Sequence, residues 1–197
     1  MKTILCFGDS NTYGYDPADY FSFSYPESKR WTSVAGRILG SEYRLINEGL
    51  NGRMLPDIRY HGEYLESLAA LLEDGDIFCM MLGTNDLLMQ NRPDAKVPVE
   101  KLKAFLDFMK PIADARGFSL LIIAPVPIGR QLDGDDRYYT ESIKMNESFR
   151  DLALEKGVSF ADAAEWQVEL AFDKVHFSEE GHEVFGRRFA EVEVLRG

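Results

Sequence analysis

Short apolar runs alternate with amphipathic segments along most of this chain. Five of the runs predict buried strands, at residues 3–7, 43–46, 77–82, 120–124 and 158–161. Apolar side chains also recur at helical spacing and predict helices, at residues 30–39, 62–72, 99–116, 140–156 and 179–195. A glycine ends helix after helix, and the next strand begins within a few residues. This repeat predicts an α/β fold in which a five-stranded parallel sheet carries helices on both faces.

Small polar residues follow four of the five predicted strands. The expected strand order is that of flavodoxin-like folds, with the first strand central, and such sheets bind ligands in the crevice at the carboxyl ends of their strands. Ser10 follows the first strand, Gly52 the second and Asn85 the third, whereas Asp173 and His176 come well after the fifth. We therefore expect these five residues to meet at one crevice.

Together these residues supply the parts that acyl transfer needs. A serine hydroxyl becomes a nucleophile when an imidazole takes its proton, which makes His176 the candidate base for Ser10. Asp173, three residues earlier, can accept the other ring N–H and fix the tautomer. The backbone N–H groups of Ser10 and Gly52 and the side-chain amide of Asn85 are candidate donors to an oxyanion. Taken singly, each element also fits a turn, a helix cap or a structural histidine.

Composition and charge narrow the range of partners. The 197 residues, of which 45% are hydrophobic, suit a single domain spanning residues 1–197. The net charge of −11 argues against nucleic acid and against anionic lipid surfaces, which leaves small-molecule substrates. The first apolar run is too short for a signal peptide, and no run approaches bilayer length, so we expect a cytoplasmic protein without membrane contact. Cys6 and Cys79 lie in strand-like runs and are expected to be reduced and buried.

No metal or cofactor is predicted. His176 and His182 are six residues apart, which places them on different faces of a helix. His61 and His182 are expected to be surface or helix residues without partners. Segment 8–14 lacks both the Walker pattern and a spaced glycine fingerprint, which argues against a bound phosphate or flavin. Asp9 is expected to cap or support the turn at Ser10 rather than to act in catalysis.

Four ordered blocks carry a resemblance to a known family. GDS at 8–10, GLNG at 49–52, GTND at 83–86 and DKVH at 173–176 resemble the motifs of the SGNH hydrolases, also called GDSL esterases. The resemblance implies a flavodoxin-like three-layer α/β/α fold, with Ser10 as nucleophile, His176 as base and Asp173 orienting it. It also implies Gly52 and Asn85 as oxyanion donors beside the Ser10 amide. RWT at 30–32 and NEGL at 47–50 resemble the small arylesterase and acyltransferase branch, whose members assemble into oligomers.

The sequence departs from the family pattern in two blocks. Asn11 stands where the first block usually ends in Leu, and Lys174 and Phe177 replace the usual Gly and Pro of the last block. The leading hypothesis is a serine esterase of small acyl esters, which transfers the acyl group either to water or to an alcohol. The alternative is a catalytically silent module of this fold that binds an acylated sugar or peptide. Loops 15–30, 87–98 and 129–139 are expected to set specificity.

Overall fold

One parallel sheet forms the centre of the molecule, and the computed structural model describes residues 1–132 and 134–195. The strands are β1 (Lys2–Gly8), β2 (Tyr43–Gly49), β3 (Ile77–Met81), β4 (Ser119–Ala124) and β5 (Ser159–Asp162). The α-helices of the described residues are α1 (Ser10–Tyr13), α2 (Trp31–Leu39), α3 (Ile58–Ala69), α4 (Thr84–Leu88), α5 (Lys96–Arg116), α6 (Arg137–Glu155) and α7 (Glu179–Phe189). Residue 133, in the predicted specificity loop 129–139, and residues 196–197, in the predicted domain, lie outside the described residues.

The strand order is β2-β1-β3-β4-β5, and every neighbouring pair is parallel. The predicted flavodoxin-like order is therefore confirmed. β1 lies inside the sheet between β2 and β3, although β3 is the middle strand of the five. β2 continues past the predicted end at residue 46 to Gly49, because it pairs with the whole of β1 as far as Gly8.

The helix ends differ from those predicted by apolar spacing. Helix α3 begins at Ile58 rather than at 62, because the Asp57 carboxylate caps it by accepting the N–H of Arg59 at 3.0 Å. Helices α5 and α6 begin at residues 96 and 137, before the predicted 99 and 140. The first turn of α5 contains Pro98, which a helix tolerates at this position. Helix α7 ends at Phe189, and a separate 3₁₀ turn covers Glu193–Leu195 within the span predicted as one helix.

Alternate side chains of the strands pack against opposite helix layers. One core joins strand residues to α3, α5 and α6, and its strand members are Leu5, Phe7, Phe78, Met80, Leu120 and Ile122. The other joins the sheet to α2 and α7, and its strand members are Ile4, Cys6, Ile77, Cys79, Met81, Leu121 and Ile123. Both faces of each inner strand are thus buried, which explains why these strands appear as continuous apolar runs in the sequence. The result is a three-layer α/β/α fold.

The carboxyl ends of β1, β2 and β3 lie next to one another in the sheet. At the carboxyl edge of the sheet, Gly8 at the end of β1 pairs with Gly49 on one side and with Met81 on the other. The segments that leave these three strands therefore begin side by side.

Within the described ranges, no helix combines the length and the apolar content that crossing a bilayer requires.

Candidate active site

Ser10 is the first residue of α1, directly after β1. The Asp9 carboxylate caps this short helix by accepting the N–H of Asn11 at 2.9 Å, which is the supporting role expected for Asp9. Helix α1 also lies against the end of β2, where a Cβ on Gly49 would come within 2.1 Å of the Tyr13 nitrogen. The glycine in the second motif block therefore permits the nucleophile helix to pack closely on its neighbouring strand.

His176 links Ser10 to Asp173. The His176 Nε2 atom lies 3.0 Å from the Ser10 Oγ, and its Nδ1 lies 2.5 Å from Asp173 Oδ2. The three side chains that the sequence placed far apart thus form one hydrogen-bonded chain. The imidazole and the Asp173 carboxylate are 20% and 25% exposed, so both remain close to solvent.

A tight turn holds Asp173 and His176 together. Asp173 Oδ1 accepts the backbone N–H groups of Val175 and His176, both at 3.0 Å. Burial acts to raise the pKa of Asp173, but the hydrogen bonds from the His176 ring and from these N–H groups outweigh it and hold the pKa below its usual value. An ionised carboxylate only accepts, so the imidazole carries its proton on Nδ1 and presents the Nε2 lone pair to Ser10. Lys174 occupies the left-handed region in this turn, with φ of 64°.

Asn11 ties this turn to the nucleophile helix. Its Oδ1 accepts the Phe177 N–H at 2.9 Å, and its Nδ2 donates to the Val175 carbonyl at 3.2 Å. Both bonds flank His176 and come from the residue next to Ser10. Sequence reasoning treated Asn11 only as a departure from the family pattern. The polar side chain after the serine was the available signal, but its partners lie 164 and 166 residues away.

Gly52 and Asn85 lie in two segments that a hydrogen bond joins. Gly52 lies in a turn that the Arg53 N–H closes on the Leu50 carbonyl at 3.0 Å, and its φ of 74° favours glycine. The Leu50 N–H in turn donates to the Gly8 carbonyl at 3.1 Å, which fixes the turn to the end of β1. Asn85 Nδ2 donates to the Arg53 carbonyl at 3.0 Å, and its second N–H is available for a ligand.

The Arg53 side chain fastens the same turn to the two strands below it. Its guanidinium donates to the Gly8 carbonyl at 3.0 Å and to the Glu48 carbonyl, and it lies 4.2 Å from the centroid of the Phe7 ring. The side chain is 10% exposed and also pairs with the Glu48 carboxylate at 3.2 Å. These contacts explain why an arginine follows Gly52, although no sequence motif singles it out.

Two aromatic residues, Tyr15 and Phe23, lie beside the histidine turn, which is the turn from Asp173 to His176. The Tyr15 ring lies 4.5 Å from the His176 ring and 6.4 Å from that of Phe23, onto which it stacks. Phe23 adopts a left-handed backbone conformation with φ of 53°. In the same loop 15–30, the side chains of Tyr20 and Phe21 are exposed.

His182 differs from the sequence prediction. It lies in α7, one of the two places predicted, but its side chain is buried and its Nδ1 accepts the Trp31 N–H at 3.3 Å, a partner that its spacing in the sequence does not indicate. His61 also has a contact, since its Nδ1 lies 3.0 Å from the Asp57 carbonyl oxygen. Burial lowers the pKa of His182 to about 3, because no solvent reaches the charged form. Apolar spacing missed this contact because it joins two helices of the same layer.

Asp9 is a buried carboxyl group next to Ser10. Burial raises the pKa of Asp9 to about 6, against the Asn11 N–H and the charge on His176, which act to lower it. A negative charge on Asp9 and a positive charge on His176 therefore stabilise each other.

Comparisons with known proteins agree with this geometry. A family model described as the GDSL-like Lipase/Acylhydrolase family matches residues 6–184. A carbohydrate acetylesterase from Sinorhizobium meliloti is 26% identical over 97% of both chains, with a TM-score of 0.79. A carbohydrate acetylesterase family member from the same organism is 28% identical over 98% of this chain and 97% of that chain, with a TM-score of 0.80. The aryl esterase of M. smegmatis is 26% identical over 97% of both chains, with a TM-score of 0.79.

A search of curated proteins gave no match. The family match nevertheless spans most of the chain, and the similar structures cover nearly all of it. The resemblance inferred from the four motif blocks is confirmed. The chain belongs to the GDSL-like lipase/acylhydrolase family, and it is a carboxylic ester hydrolase.

Proposed function

We propose that this hydrolase acts on small acyl esters through an acyl-enzyme intermediate on Ser10. The observation that carries the proposal is the hydrogen-bonded chain from Asp173 through His176 to the Ser10 hydroxyl, with distances of 2.5 and 3.0 Å. This is the arrangement that turns a serine into a nucleophile.

Acylation moves one proton and exchanges one bond. As Ser10 Oγ bonds to the ester carbonyl carbon, its proton passes to His176 Nε2, and Asp173 stabilises the imidazolium through Nδ1–H. The tetrahedral intermediate then breaks its bond to the alcohol oxygen, which leaves with the proton from His176. Deacylation repeats the sequence with water, whose proton passes to His176 while its oxygen displaces Ser10 from the acyl carbon. An alcohol in place of water yields a new ester instead of an acid.

The proposed oxyanion site uses three donors. The Ser10 N–H lies at the start of α1, the Gly52 N–H lies in the turn fixed to Gly8, and the Asn85 amide is bonded to the residue after Gly52. Because these segments leave neighbouring strands, their donors can converge on one carbonyl oxygen. Loss of one such donor typically lowers turnover by roughly 10²–10³.

The site and the similar enzymes support a proposal for the substrate class. The Tyr15 ring beside His176 offers an aromatic wall, and the similar structures include carbohydrate acetylesterases and an aryl esterase. We therefore favour short-chain acyl esters whose alcohol part is a sugar or an aryl group. The net charge of −11 favours neutral over anionic esters, which paired neutral and anionic substrates at low and high salt will test.

Ser10→Ala tests the proposal directly. With p-nitrophenyl acetate as substrate, the variant is expected to lose turnover while its circular dichroism and melting temperature stay close to those of the wild type. Ser119→Ala, at the exposed start of β4 on the opposite edge of the sheet, is the matched control and keeps full turnover. Undiminished hydrolysis by Ser10→Ala would refute the mechanism. A fluorophosphonate that fails to label Ser10 in a protein that still binds the ester would favour the silent binding module.

A separate measurement tests whether the acyl group passes from Ser10 to water or to an alcohol. The wild type is incubated with p-nitrophenyl acetate and increasing ethanol, and the ratio of ethyl acetate to acetate is followed. A ratio that rises above the value set by the ethanol and water concentrations indicates an acyltransferase, whereas acetate alone indicates a hydrolase.

A further inference from the structure

A buried carboxylate lies beside the Gly52 turn and has no part in the Ser10–His176–Asp173 chain. Asp86 follows Asn85 in α4, and its side chain is 0% exposed. Its Oδ2 accepts the backbone N–H of Leu55 at 2.8 Å, and its Oδ1 lies 2.6 Å from the Nζ of Lys101. A buried carboxylate needs a counter-charge and hydrogen bonds, and these two contacts supply both.

Asn85 and Asp86 hold the same short segment from two points. The Asn85 amide donates to the Arg53 carbonyl at 3.0 Å, and Asp86 accepts from Leu55, two residues further along. Segment 53–55 comes directly after Gly52. Two successive residues of α4 therefore fix where the Gly52 turn lies relative to β3.

Segment 53–55 is packed on one side and open on the other. Leu55 is 2% exposed, and the Arg53 guanidinium donates to the Gly8 and Glu48 carbonyls, whereas the Met54 side chain is 41% exposed. A cavity of about 360 Å³ lies against the segment, and Arg53, Met54, Leu55 and Lys101 are among the lining residues. Where the segment borders this open space, the hydrogen bonds to Asn85 and Asp86 hold its backbone in addition to these contacts.

We propose that the Asp86–Lys101 ion pair is a positioning device for the oxyanion donors. Lys101 on α5 holds Asp86, Asp86 holds Leu55, and the segment that contains Leu55 sets the position of the Gly52 N–H. This inference rests on the proposed roles of Gly52 and Asn85. Oxyanion donors act over about 2.7–3.1 Å, and a displacement of about 1 Å can lower turnover by about a hundredfold. Neither Asp86 nor Lys101 has to touch the substrate.

Lys101→Met tests the ion pair, since methionine keeps the apolar stem and removes the ammonium. With p-nitrophenyl acetate, kcat is expected to fall by about ten- to a hundredfold, while KM changes by less than about twofold. The affinity for phenylboronic acid, which forms a tetrahedral adduct on a serine, is expected to fall in the same ratio as kcat/KM. Lys101→Arg restores the cation and recovers most of the lost kcat.

Lys110→Met is the matched control. Lys110 lies on the same helix and pairs with Asp114 at 2.6 Å, and its side chain is 33% exposed, against 34% for Lys101. The same substitution there removes an ion pair of equal length away from the Gly52 turn. We expect its kcat, KM and boronic acid affinity to match those of the wild type.

The outcomes separate this inference from the proposed function. A folded Lys101→Met variant with kcat within twofold of the wild type overturns the positioning role, provided that Asn85→Ala lowers kcat. If Asn85→Ala itself keeps full kcat, the proposed oxyanion site is wrong. Should Lys101→Met fail to fold, Asp86→Asn replaces it. Asparagine replaces one of the two carboxylate oxygens with an NH2 group, which cannot accept from Leu55 or from Lys101. We therefore expect kcat to fall, and full kcat in that variant refutes the proposal.

Discussion

Replacing Asn11 by leucine tests whether one side chain holds the histidine turn on the nucleophile helix. Leucine shares the branching of asparagine at Cγ, although its two methyl groups are bulkier than the amide, and it is the residue that usually ends the first block of the family. It can form neither the bond to the Phe177 N–H at 2.9 Å nor that to the Val175 carbonyl at 3.2 Å. Both backbone groups flank His176, so the substitution removes the two bonds that tie the base to the Ser10 helix.

The expected magnitude follows from burial. Asn11 is 6% exposed, and the Phe177 N–H that it satisfies is buried, so leaving that group unpaired costs about 1–3 kcal/mol. The Val175 carbonyl is partly buried and contributes less. For the two lost bonds combined, we expect the free energy of unfolding to fall by about 2–4 kcal/mol. For a chain of 197 residues this corresponds to a fall in Tm of about 5–15 °C.

Two assays separate a loss of protein stability from a displacement of the His176 imidazole relative to Ser10. Calorimetry gives Tm, and hydrolysis of p-nitrophenyl acetate well below Tm gives kcat, which we expect to fall at least about tenfold because the imidazole loses its fixed distance to Ser10. Asp76→Leu is the control. Asp76 accepts two backbone N–H groups, from Thr3 at 2.6 Å and from Glu73 at 2.9 Å, at the opposite end of the sheet. It is expected to lower Tm and leave kcat unchanged. If Asn11→Leu lowers Tm but keeps the wild-type kcat, Asn11 does not position the base.

Three further predictions concern titration, backbone strain and thiol reactivity. The pKa of His182 falls from 6.5 to about 3 on folding, so between these pH values the unfolded chain binds more protons and the protein loses stability as pH falls below about 6.5. Between pH 7.5 and 5, the free energy of unfolding in urea should fall by about 2 kcal/mol more in the wild type than in His182→Phe. Equal losses in the two proteins would contradict this prediction. Lys174→Gly relieves a φ of 64° and should stabilise the protein by about 0.5–1 kcal/mol, whereas a lower urea midpoint would show that the lysine stem packs favourably. Burial raises the pKa of both Cys6 and Cys79, so iodoacetamide should label them only in denaturant, and labelling of the native protein would show that the sheet opens.

The sequence predicted the parts of the molecule that depend on local pattern. Buried strands appear as apolar runs, and the residues at their carboxyl ends share an edge once the sheet is parallel. That rule alone predicts that Ser10, Gly52 and Asn85 share one crevice. Asp173 and His176 required a further assumption, namely that the segment after β5 folds back over this edge.

Contacts between distant segments could not be predicted in this way. The bonds from Asn11 to Val175 and Phe177 join the two ends of the chain, and no spacing rule reaches so far. The burial of His182 arises because α7 packs on α2, where the Trp31 N–H meets its ring. The early start of α3 was within reach, because an aspartate after a proline at residues 56–57 is a typical helix start that apolar spacing alone does not detect.

The chain of bonds from Asp173 to Ser10 has a consequence for biosynthesis. On the proposed mechanism, a nascent chain gains no hydrolytic activity when β1 and α1 emerge from the ribosome, because the base is made more than 160 residues later. Activity should then appear abruptly, when α7 packs on α2 and the segment before it docks on Asn11. Release of enzyme activity from stalled translation products of increasing length would reveal that threshold.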